Sequence, residues 1–264
     1  MTLRIATWNI NSVRIRIPSI RRFIEAQNID MLCLQETKAH NDVFPFDGLR
    51  ELGFPHIHAL GMKAYNGTAI LSRVAFTPGD ARQWCDKDDC RHSIAVLADG
   101  TEIHNFYVPA GGDIPDPALN VKFAHKLRFL DEMQNWFAAR ANVRNRVVLV
   151  GDLNIAPLET DVWSHKALLK VVSHTPIEVE RLSRVQRSHN WLDAVRHFIA
   201  PEHKLYTWWS YRAQDWDAAD KGRRLDHIWV TPPLKPEITA AEVLREARGW
   251  QLASDHVPVI VTLK

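Results

Sequence analysis

Residues 147–154 have the sequence Val147-Val148-Leu149-Val150-Gly151-Asp152-Leu153-Asn154, an apolar run that ends in polar side chains. The β-branched and apolar part is typical of a strand that is buried on both faces. Because side chains alternate along a strand, we expect Asp152 and Asn154 to point the same way. Unpaired polar groups are costly to bury. The strand therefore either ends in a turn whose backbone these residues satisfy or opens onto a site, as strand ends do in open α/β sheets.

The composition is that of an ordinary globular protein. The 264 residues are 46% hydrophobic and 24% charged, and the net charge of +2 neither requires nor excludes a nucleic-acid partner. Three cysteines without a disulfide framework favour a reducing compartment. The sequence has no apolar run near the ~20 residues of a membrane span and no signal peptide after Met1. We therefore expect a cytoplasmic protein with no membrane partner.

Strand and helix patterns alternate along the chain without a linker or an internal repeat. Strands are predicted over residues 3–8, 29–36, 67–72, 147–152, 224–230, 238–244 and 257–263, and residues 93–97 and 101–108 are predicted to pair as a hairpin. Helices are predicted from Ser12 to Gln27, from Leu119 to Arg140 and from Ser188 to Phe198. Pro18 predicts that the first of them starts late or is kinked. This alternation predicts a single α/β domain over residues 1–264, with mixed sheets.

Six strand ends or adjacent turns carry polar side chains that suit a site better than a core. They are Asn9 with Asn11, Glu36, Tyr107, Asp152 with Asn154, Asp226, and Asp255 with His256. The set is rich in oxygen ligands, which favour a hard divalent cation such as Mg²⁺ or Mn²⁺ over zinc. A histidine beside a carboxylate suits a base or a charged hydrogen-bond donor near neutral pH. Together these groups suggest hydrolysis at phosphorus, where charge must be neutralised and a water positioned.

The same residues lie in motifs that resemble the exonuclease III family, the apurinic/apyrimidinic endonucleases of the endonuclease/exonuclease/phosphatase superfamily. The motifs are Trp8-Asn9-Ile10-Asn11, Leu34-Gln35-Glu36-Thr37-Lys38, Tyr107-Val108-Pro109, Gly151-Asp152-Leu153-Asn154, Arg224-Leu225-Asp226 and Ser254-Asp255-His256-Val257-Pro258. Glu36-Thr37-Lys38 and Trp208-Trp209-Ser210-Tyr211-Arg212 are similar to the bacterial branch. The resemblance implies a DNase I-like four-layered α/β sandwich, in which two mixed β-sheets pack face to face and are flanked by helices.

The resemblance also implies roles for the polar residues. Glu36 is expected to hold the catalytic metal, and Asp152 to orient or deprotonate the attacking water or to contact a second metal. Asn154 is expected to position that water, and His256, fixed by Asp226, to contact the scissile phosphate. Tyr107 is expected near the leaving oxygen. The full set of expected metal-site residues is Asn9, Glu36, Asp152, Asn154, Asp255 and His256.

For DNA, the resemblance implies contacts from Asn11 and Arg91 and a sugar pocket lined by Trp208 and Trp209. An abasic nucleotide lacks a base to unstack, so its extrusion costs less than the few kcal/mol for a normal one. Many relatives have an apolar residue three positions before the Asp that supports the catalytic His, whereas this chain has Arg223. Arg223 is therefore expected either to line the pocket and change damage selectivity or to reach a phosphate.

The resemblance thus implies a Mg²⁺-dependent phosphodiesterase of base excision repair, with Mn²⁺ as a substitute. It would act, as a monomer, on double-stranded DNA with abasic sites or blocked 3′ ends. It would cut 5′ to the abasic site, and it could also act as a 3′→5′ exonuclease and 3′-phosphatase. Three alternatives stay open. They are a 3′ exonuclease or phosphatase with weak abasic-site activity, a superfamily phosphoesterase for another phosphodiester, and a non-catalytic DNA-binding module.

Overall fold

Two β-sheets form the centre of the computed structural model, which describes residues 2–142 and 144–264. The strands are β1 (Leu3–Asn9), β2 (Met31–Gln35), β3 (His56–Leu60), β4 (Thr68–Ser72), β5 (Phe76–Pro78), β6 (His92–Leu97), β7 (Glu102–Tyr107), β8 (Val147–Asp152), β9 (Leu192–Asp193), β10 (Asp226–Val230), β11 (Ile238–Val243) and β12 (Val259–Leu263). The helices are α1 (Ile17–Gln27), α2 (Phe46–Glu51), α3 (Val121–Arg140), α4 (His165–Leu168), α5 (Pro176–Ser188) and α6 (Trp216–Ala219).

The strand order brings the polar strand ends to one edge of the molecule. One sheet has the order β11-β12-β1-β2-β4-β3 and the other β5-β6-β7-β8-β10-β9. The pairs β1–β2 and β7–β8 are parallel, so their carboxyl ends lie side by side, with Asn9 beside Gln35 and Tyr107 beside Asp152. Strand β10 runs antiparallel to β8 and begins at Asp226, opposite Asp152. The topology therefore places these residues together within each sheet, and the packing of the sheets brings the two groups together.

Three apolar layers hold the sheets and helices in place. Residues that include Ile5, Cys33, Val148 and Ile228 fill the space between the two sheets. Helix α1 packs on the outer face of the first sheet, and α3 with α5 covers the second. Fully burying one such aliphatic side chain contributes about 1.5–3 kcal/mol. This arrangement confirms the predicted four-layered sandwich of two mixed sheets flanked by helices.

Gly151 allows the two parallel strands of the second sheet to approach closely. Its φ is 142°, and a Cβ atom at this position would lie 1.9 Å from the carbonyl oxygen of Phe106. No side chain fits in that space, and L residues rarely adopt this φ. The glycine that ends the apolar run at 147–150 thus permits β7 and β8 to deliver Tyr107 and Asp152 next to each other.

One helix prediction needs correction, and the start of another is now defined. The helix placed at Ser188–Phe198 is wrong, because α5 ends at Ser188 and the chain then turns into β9. Helix α5 begins instead at a Thr175–Glu178 capping box, a signal that marks a helix start. Helix α1 begins at Ile17, with Pro18 in its first turn, which confirms the late start that Pro18 predicted. Ser12 has a φ of 88°, which excludes it from a helical turn.

The remaining sequence expectations concern thiols and membranes. Cys33, Cys85 and Cys90 are free thiols, and Cys33 is buried between the sheets. Among the described residues, no helix combines the length and apolar character that crossing a membrane requires.

Candidate active site

Asp152 lies at the centre of the polar edge, with 1% of its surface exposed. Its carboxylate accepts hydrogen bonds from the Asn9 side chain at 2.9 Å and from the backbone and side-chain nitrogens of Asn154 at 2.9 and 3.1 Å. Burial raises the pKa of Asp152, and the positive charge of His256 opposes that rise. A carboxyl group whose pKa is raised toward neutrality suits proton transfer near neutral pH.

Asn154 follows the strand in a left-handed conformation, with a φ of 55°. Asparagine tolerates this region better than most residues. The turn directs the carboxamide back toward the strand end, where it also donates to the carbonyl oxygen of Val108 at 2.9 Å. Asp152 and Asn154 therefore meet at one point, as alternation predicted, although Asn154 is already outside the strand.

Glu36 approaches the same point from the other sheet. Its Oε1 accepts from the Tyr107 hydroxyl at 2.7 Å and from Asn9 at 3.0 Å, and Lys38 lies 2.7 Å from Oε2. Burial would raise the pKa of Glu36, but Lys38 and the hydrogen bonds outweigh it and lower that pKa. Burial beside Glu36 raises the pKa of Tyr107, so its hydroxyl keeps the proton. One Asn9 amide therefore bridges Glu36 and Asp152.

His256 and Asp226 form a buried pair on the opposite side of Asp152. The His256 Nδ1 lies 2.8 Å from Asp226, and its Nε2 lies 3.7 Å from Asp152. Burial would lower the pKa of His256, but Asp226 and Asp152 outweigh that effect and raise it. Both carboxylates therefore favour the protonated, cationic form of the imidazole. Ligand atoms of Asp152, Asp226 and His256 lie within 4.8 Å of one another, close enough to hold a metal ion.

Asp255 is hydrogen-bonded to residues expected to contact DNA. Its oxygens accept from Trp208 Nε1 at 2.9 Å and from the Asn11 side chain at 3.1 Å. Asn11 also accepts from Lys38 at 2.6 Å. Asp255 therefore holds the Trp208 ring beside the site, which its expected role as a metal-site residue did not anticipate.

Arg223 and Trp208 form a stacked pair next to this cluster. The Arg223 guanidinium lies 5.2 Å from the centre of the Trp208 ring, a cation–π distance. Its Nη1 donates to the carbonyl oxygen of Val172 at 3.0 Å and to Ser173 Oγ at 2.8 Å. Arg223 thus lies against the ring of Trp208, the residue predicted to line the sugar pocket.

The Trp209 ring is buried, which does not fit its predicted place in the sugar pocket beside Trp208. Only 2% of its surface is exposed, its ring packs against Tyr206 and Trp216, and its Nε1 donates to Asp220 at 3.0 Å. Trp208 and Trp209 are neighbours on an extended segment, so only one of the two rings can face the site.

Arg91 lies over the other side of the site. Its guanidinium is 4.8 Å from the centre of the Tyr107 ring. Asp89 at 2.5 Å, Asn66 at 3.0 Å and the carbonyl oxygen of Tyr107 at 3.2 Å hold it in place. The arginine is therefore fixed at the rim, beside the tyrosine that contacts Glu36.

Several residues at the site were missed by the sequence analysis. Thr207 Oγ1 donates to Asp226 at 2.6 Å, and Ser254 Oγ donates to the carbonyl oxygen of Asn9 at 2.6 Å. Lys126 donates to the carbonyl oxygen of Asn154 at 2.8 Å. A lysine among the apolar positions of a predicted helix was the signal that could have identified Lys126.

Comparisons with known proteins give consistent results over nearly the whole chain. Residues 6–256 match the endonuclease/exonuclease/phosphatase family. Exodeoxyribonuclease III from Haemophilus influenzae is 26% identical over 275 residues, which cover 99% of this chain and all of that relative. The solved structure of an AP endonuclease from Archaeoglobus fulgidus is 29% identical, with a TM-score of 0.89 and 99% coverage of both chains. A 3′ phosphatase from Neisseria, solved with a product DNA hairpin, is 28% identical, with a TM-score of 0.90 and the same coverage. These similarities confirm the resemblance inferred from the motifs.

Proposed function

This chain belongs to the endonuclease/exonuclease/phosphatase family, and from that premise we propose that it is a Mg²⁺-dependent DNA repair phosphodiesterase. The proposed reaction is cleavage of the backbone 5′ to an abasic site, with 3′→5′ exonuclease and 3′-phosphatase activity at DNA ends. One observation carries the proposal. A buried Asp152 lies between the Asn9–Glu36 pair and a cationic His256, which is the arrangement that water attack on a phosphodiester needs.

A hard divalent cation fits the residues at this point. Glu36 and Asp152 approach the same Asn9 amide, and the nearby charges of Asp226 and Glu36 help to raise the pKa of Asp152. Concentrated buried carboxylates favour a cation with oxygen ligands. Glu36 and Asp152 would hold Mg²⁺, which would neutralise charge on the phosphate. A cationic His256 has protons on both ring nitrogens, so we assign it to the phosphate and not to the metal.

The chain's own groups then divide the work of the reaction. Asp152 accepts a proton from the attacking water or orients it, helped by the Asn154 carboxamide. His256 donates a hydrogen bond to the phosphate oxygens, where negative charge develops, and Asp226 keeps it cationic. Tyr107, which retains its proton, supports the leaving side. General acid–base groups of this kind contribute about 10²–10⁴-fold in rate.

The proposed partner is double-stranded DNA, bound by the chain as a monomer. Trp208 presents a partly exposed ring beside Asp255, and Arg91 presents a fixed cation at the opposite rim. An aromatic ring suits a deoxyribose, and a fixed guanidinium suits a backbone phosphate. Both features support a complex in which the protein binds the damaged nucleotide and the phosphate next to it.

A second candidate function is a 3′ exonuclease or 3′-phosphatase with weak abasic-site activity. The observation that favours it is Arg223, whose guanidinium lies over Trp208. A base-free sugar extruded onto Trp208 would meet this cation. A terminal phosphate carries about one more negative charge than a diester, with a second pKa of about 6, and would therefore be favoured by the same cation.

The test uses three labelled duplexes, one with a central abasic-site analogue, one with a 3′-phosphate and one undamaged. Each is incubated with the protein in Mg²⁺, in Mn²⁺ and in EDTA. The expected result is a single Mg²⁺-dependent cut 5′ to the lesion and release of the 3′-phosphate. Asp152→Asn should abolish both reactions. Asp131→Asn, the same change at a carboxylate that pairs with Arg181 on the protein surface, should leave them unchanged.

Each other outcome points to a different function. End trimming and phosphate release without the internal cut would select the second candidate. Hydrolysis of a phosphoinositide but of none of the duplexes would assign the site to another phosphodiester. Tight DNA binding with no turnover in either metal would mean a binding module and would contradict the role of Asp152.

A further inference from the structure

Lys126 is a fully buried lysine on the long helix α3. Its side chain has 0% exposure. Its ammonium group donates to the carbonyl oxygen of Ala110 at 3.2 Å, to that of Asn154 at 2.8 Å and to Glu178 at 2.5 Å. An ammonium has three hydrogens, so all of its donors are used. Lys126 therefore has no donor left for a substrate, and any role in the reaction is exerted through these partners.

Those partners belong to three different segments of the chain. Ala110 follows β7, and Asn154 follows β8, the parallel neighbour of β7. Glu178 lies in the first turn of α5, where it accepts from the backbone nitrogens of Ser173 and Thr175. Gly111 leaves room for the lysine, because a Cβ at that position would lie 2.9 Å from the Lys126 Cδ. One cation thus joins both loops of the parallel pair to helix α5.

Of the three contacts of Lys126, the one with Asn154 connects the lysine to the catalytic residues. Asn154 has a left-handed φ of 55°, a conformation that persists only where surrounding structure stabilises it. Its peptide carbonyl is bound by Lys126, while its carboxamide donates to Asp152 and to the carbonyl oxygen of Val108. Releasing the carbonyl would free the turn and, with it, the direction of the carboxamide.

We propose that Lys126 is a positioning residue, which fixes the Asn154 turn so that the Asn154 carboxamide stays on Asp152. This inference rests on the proposed function for its kinetic consequence, but not for its structural one. Losing a group that supports an active-site residue commonly costs about 10–100-fold in activity, and we expect that loss in kcat. The KM should stay within about twofold, because Lys126 does not touch the substrate.

The test separates this role from a merely structural ion pair. Lys126→Met alone would leave Glu178 as an unpaired buried charge and would destabilise the fold. The double variant Lys126→Met with Glu178→Gln removes both charges and keeps an oxygen for Ser173 and Thr175. Replacing buried ion pairs by neutral groups is often tolerated, so the Tm should recover relative to the single variant. The low kcat should persist, because nothing then holds the Asn154 carbonyl.

Two controls match the double variant. Glu178→Gln alone leaves Lys126 as an unpaired buried charge, so its Tm should fall as in the Lys126→Met variant. Because the bonds from Lys126 to Ala110 and Asn154 stay, its kcat should nevertheless stay close to that of the wild type. Met133→Ala removes a buried side chain two turns further along the same helix, so its Tm should fall without a change in kcat. If the double variant does not fold, Lys126→Leu with Glu178→Gln, which also removes both charges but has a shorter side chain at 126, replaces it.

A second readout does not depend on turnover. The side-chain amide signal of Asn154 in a ¹⁵N-labelled protein, identified by its absence in Asn154→Asp, should shift in the double variant and stay in place in Met133→Ala. An unchanged signal, or a double variant with the wild-type kcat, would overturn the proposal. If the wild-type protein cuts no DNA, the proposed function fails while the amide signal still decides the role of Lys126.

Discussion

Replacing Asp226 by asparagine should keep the hydrogen bond to His256 Nδ1 but remove the negative charge that favours the protonated imidazole. Asp226 Oδ2 accepts from both His256 Nδ1 and Thr207 Oγ1, whereas Oδ1 is buried and has no hydrogen-bond partner among the described residues. In the Asp226→Asn variant, the carbonyl oxygen of the new side chain can take the place of Oδ2 and its amino group that of Oδ1. The pair therefore keeps its geometry and loses one negative charge.

The expected size of the effect follows from the distances. Burial would lower the pKa of His256, but Asp226 and Asp152 overcome it and raise that pKa to about 10. Two unit charges roughly 4 Å apart at an effective dielectric constant of about 20 interact by about 4 kcal/mol, which corresponds to a pKa change of about 3. Asp226→Asn should therefore bring the pKa of His256 down to about 7. At pH 8 only about a tenth of the imidazole would stay cationic.

The assay is a titration of the His256 Cε1–H signal in metal-free protein, with His256→Gln to identify the resonance. Unfolding in urea at pH 6 and pH 9.5 gives an independent measure. A pKa that is raised on folding stabilises the protein below the unfolded value of about 6.5, and this stabilisation is lost as the pH rises toward the folded value. The variant should thus be less stable by about 4 kcal/mol at pH 6, and the difference should shrink by pH 9.5.

Two results would refute this reasoning. A His256 midpoint that stays near its wild-type value in Asp226→Asn would show that Asp226 is not what holds the charge. A variant whose imidazole is neutral at pH 8, yet whose kcat/KM on DNA equals that of the wild type, would show that the reaction does not need the cation. The expected loss in kcat/KM at pH 8 is about tenfold, because only about a tenth of the cation remains.

Three further predictions follow from other parts of the structure. Asp161 is buried and pairs with Arg224 and Arg196, so Asp161→Asn should cost about 3–5 kcal/mol in urea unfolding at pH 7. Burial would raise the pKa of Asp161, but Arg224 and Arg196 outweigh it and lower that pKa. The stabilisation from the ionised carboxylate should therefore be present at neutral pH and disappear as the pH falls below about 4. Gly151→Ala should abolish cooperative thermal unfolding, measured by circular dichroism, because its Cβ would overlap the strand beside it; a normal melt would contradict this. Arg223→Leu should raise abasic-site cleavage relative to 3′-phosphate release by about tenfold, and an unchanged ratio would exclude Arg223 from selectivity.

The strand ends were predictable because they depend on short-range patterns. The apolar run before Asp152 and the polar residue after each strand need only the alternation of a strand and the cost of burying polar groups. Once the strands were assigned, sheet topology brought Asn9, Tyr107, Asp152 and Asp226 to one edge. The motifs supplied the pairing of His256 with Asp226, which lie 30 residues apart and share no local pattern.

The residues that were missed depend on the direction of single side chains. Trp209 and Trp208 are adjacent and chemically equal, so only the packing against Tyr206 and Trp216 shows which ring turns inward. Helix periodicity could have shown that Lys126 lies on the buried face, but it could not show the three acceptors from distant segments that bind its ammonium group. The helix prediction at 188–198 is wrong for a different reason. The local signal that marks the true helix start, the capping box at Thr175, was present in the sequence but was not used.

The single amide of Asn9 has a consequence for how this protein tolerates mutation. Asn9 belongs to one sheet and Asp152 to the other, and a 2.9 Å bond joins them, so the spacing of the sandwich sets the catalytic distance. Interior residues such as Ile103 and Val148 should accept apolar exchanges of similar volume at small cost in folding, but an exchange that shifts one sheet against the other changes the distance between Asn9 and Asp152. A library of such variants could be selected once for soluble protein and once for DNA cleavage, and the two selections should retain different variants. The positions at which they differ should lie at the interface between the two sheets.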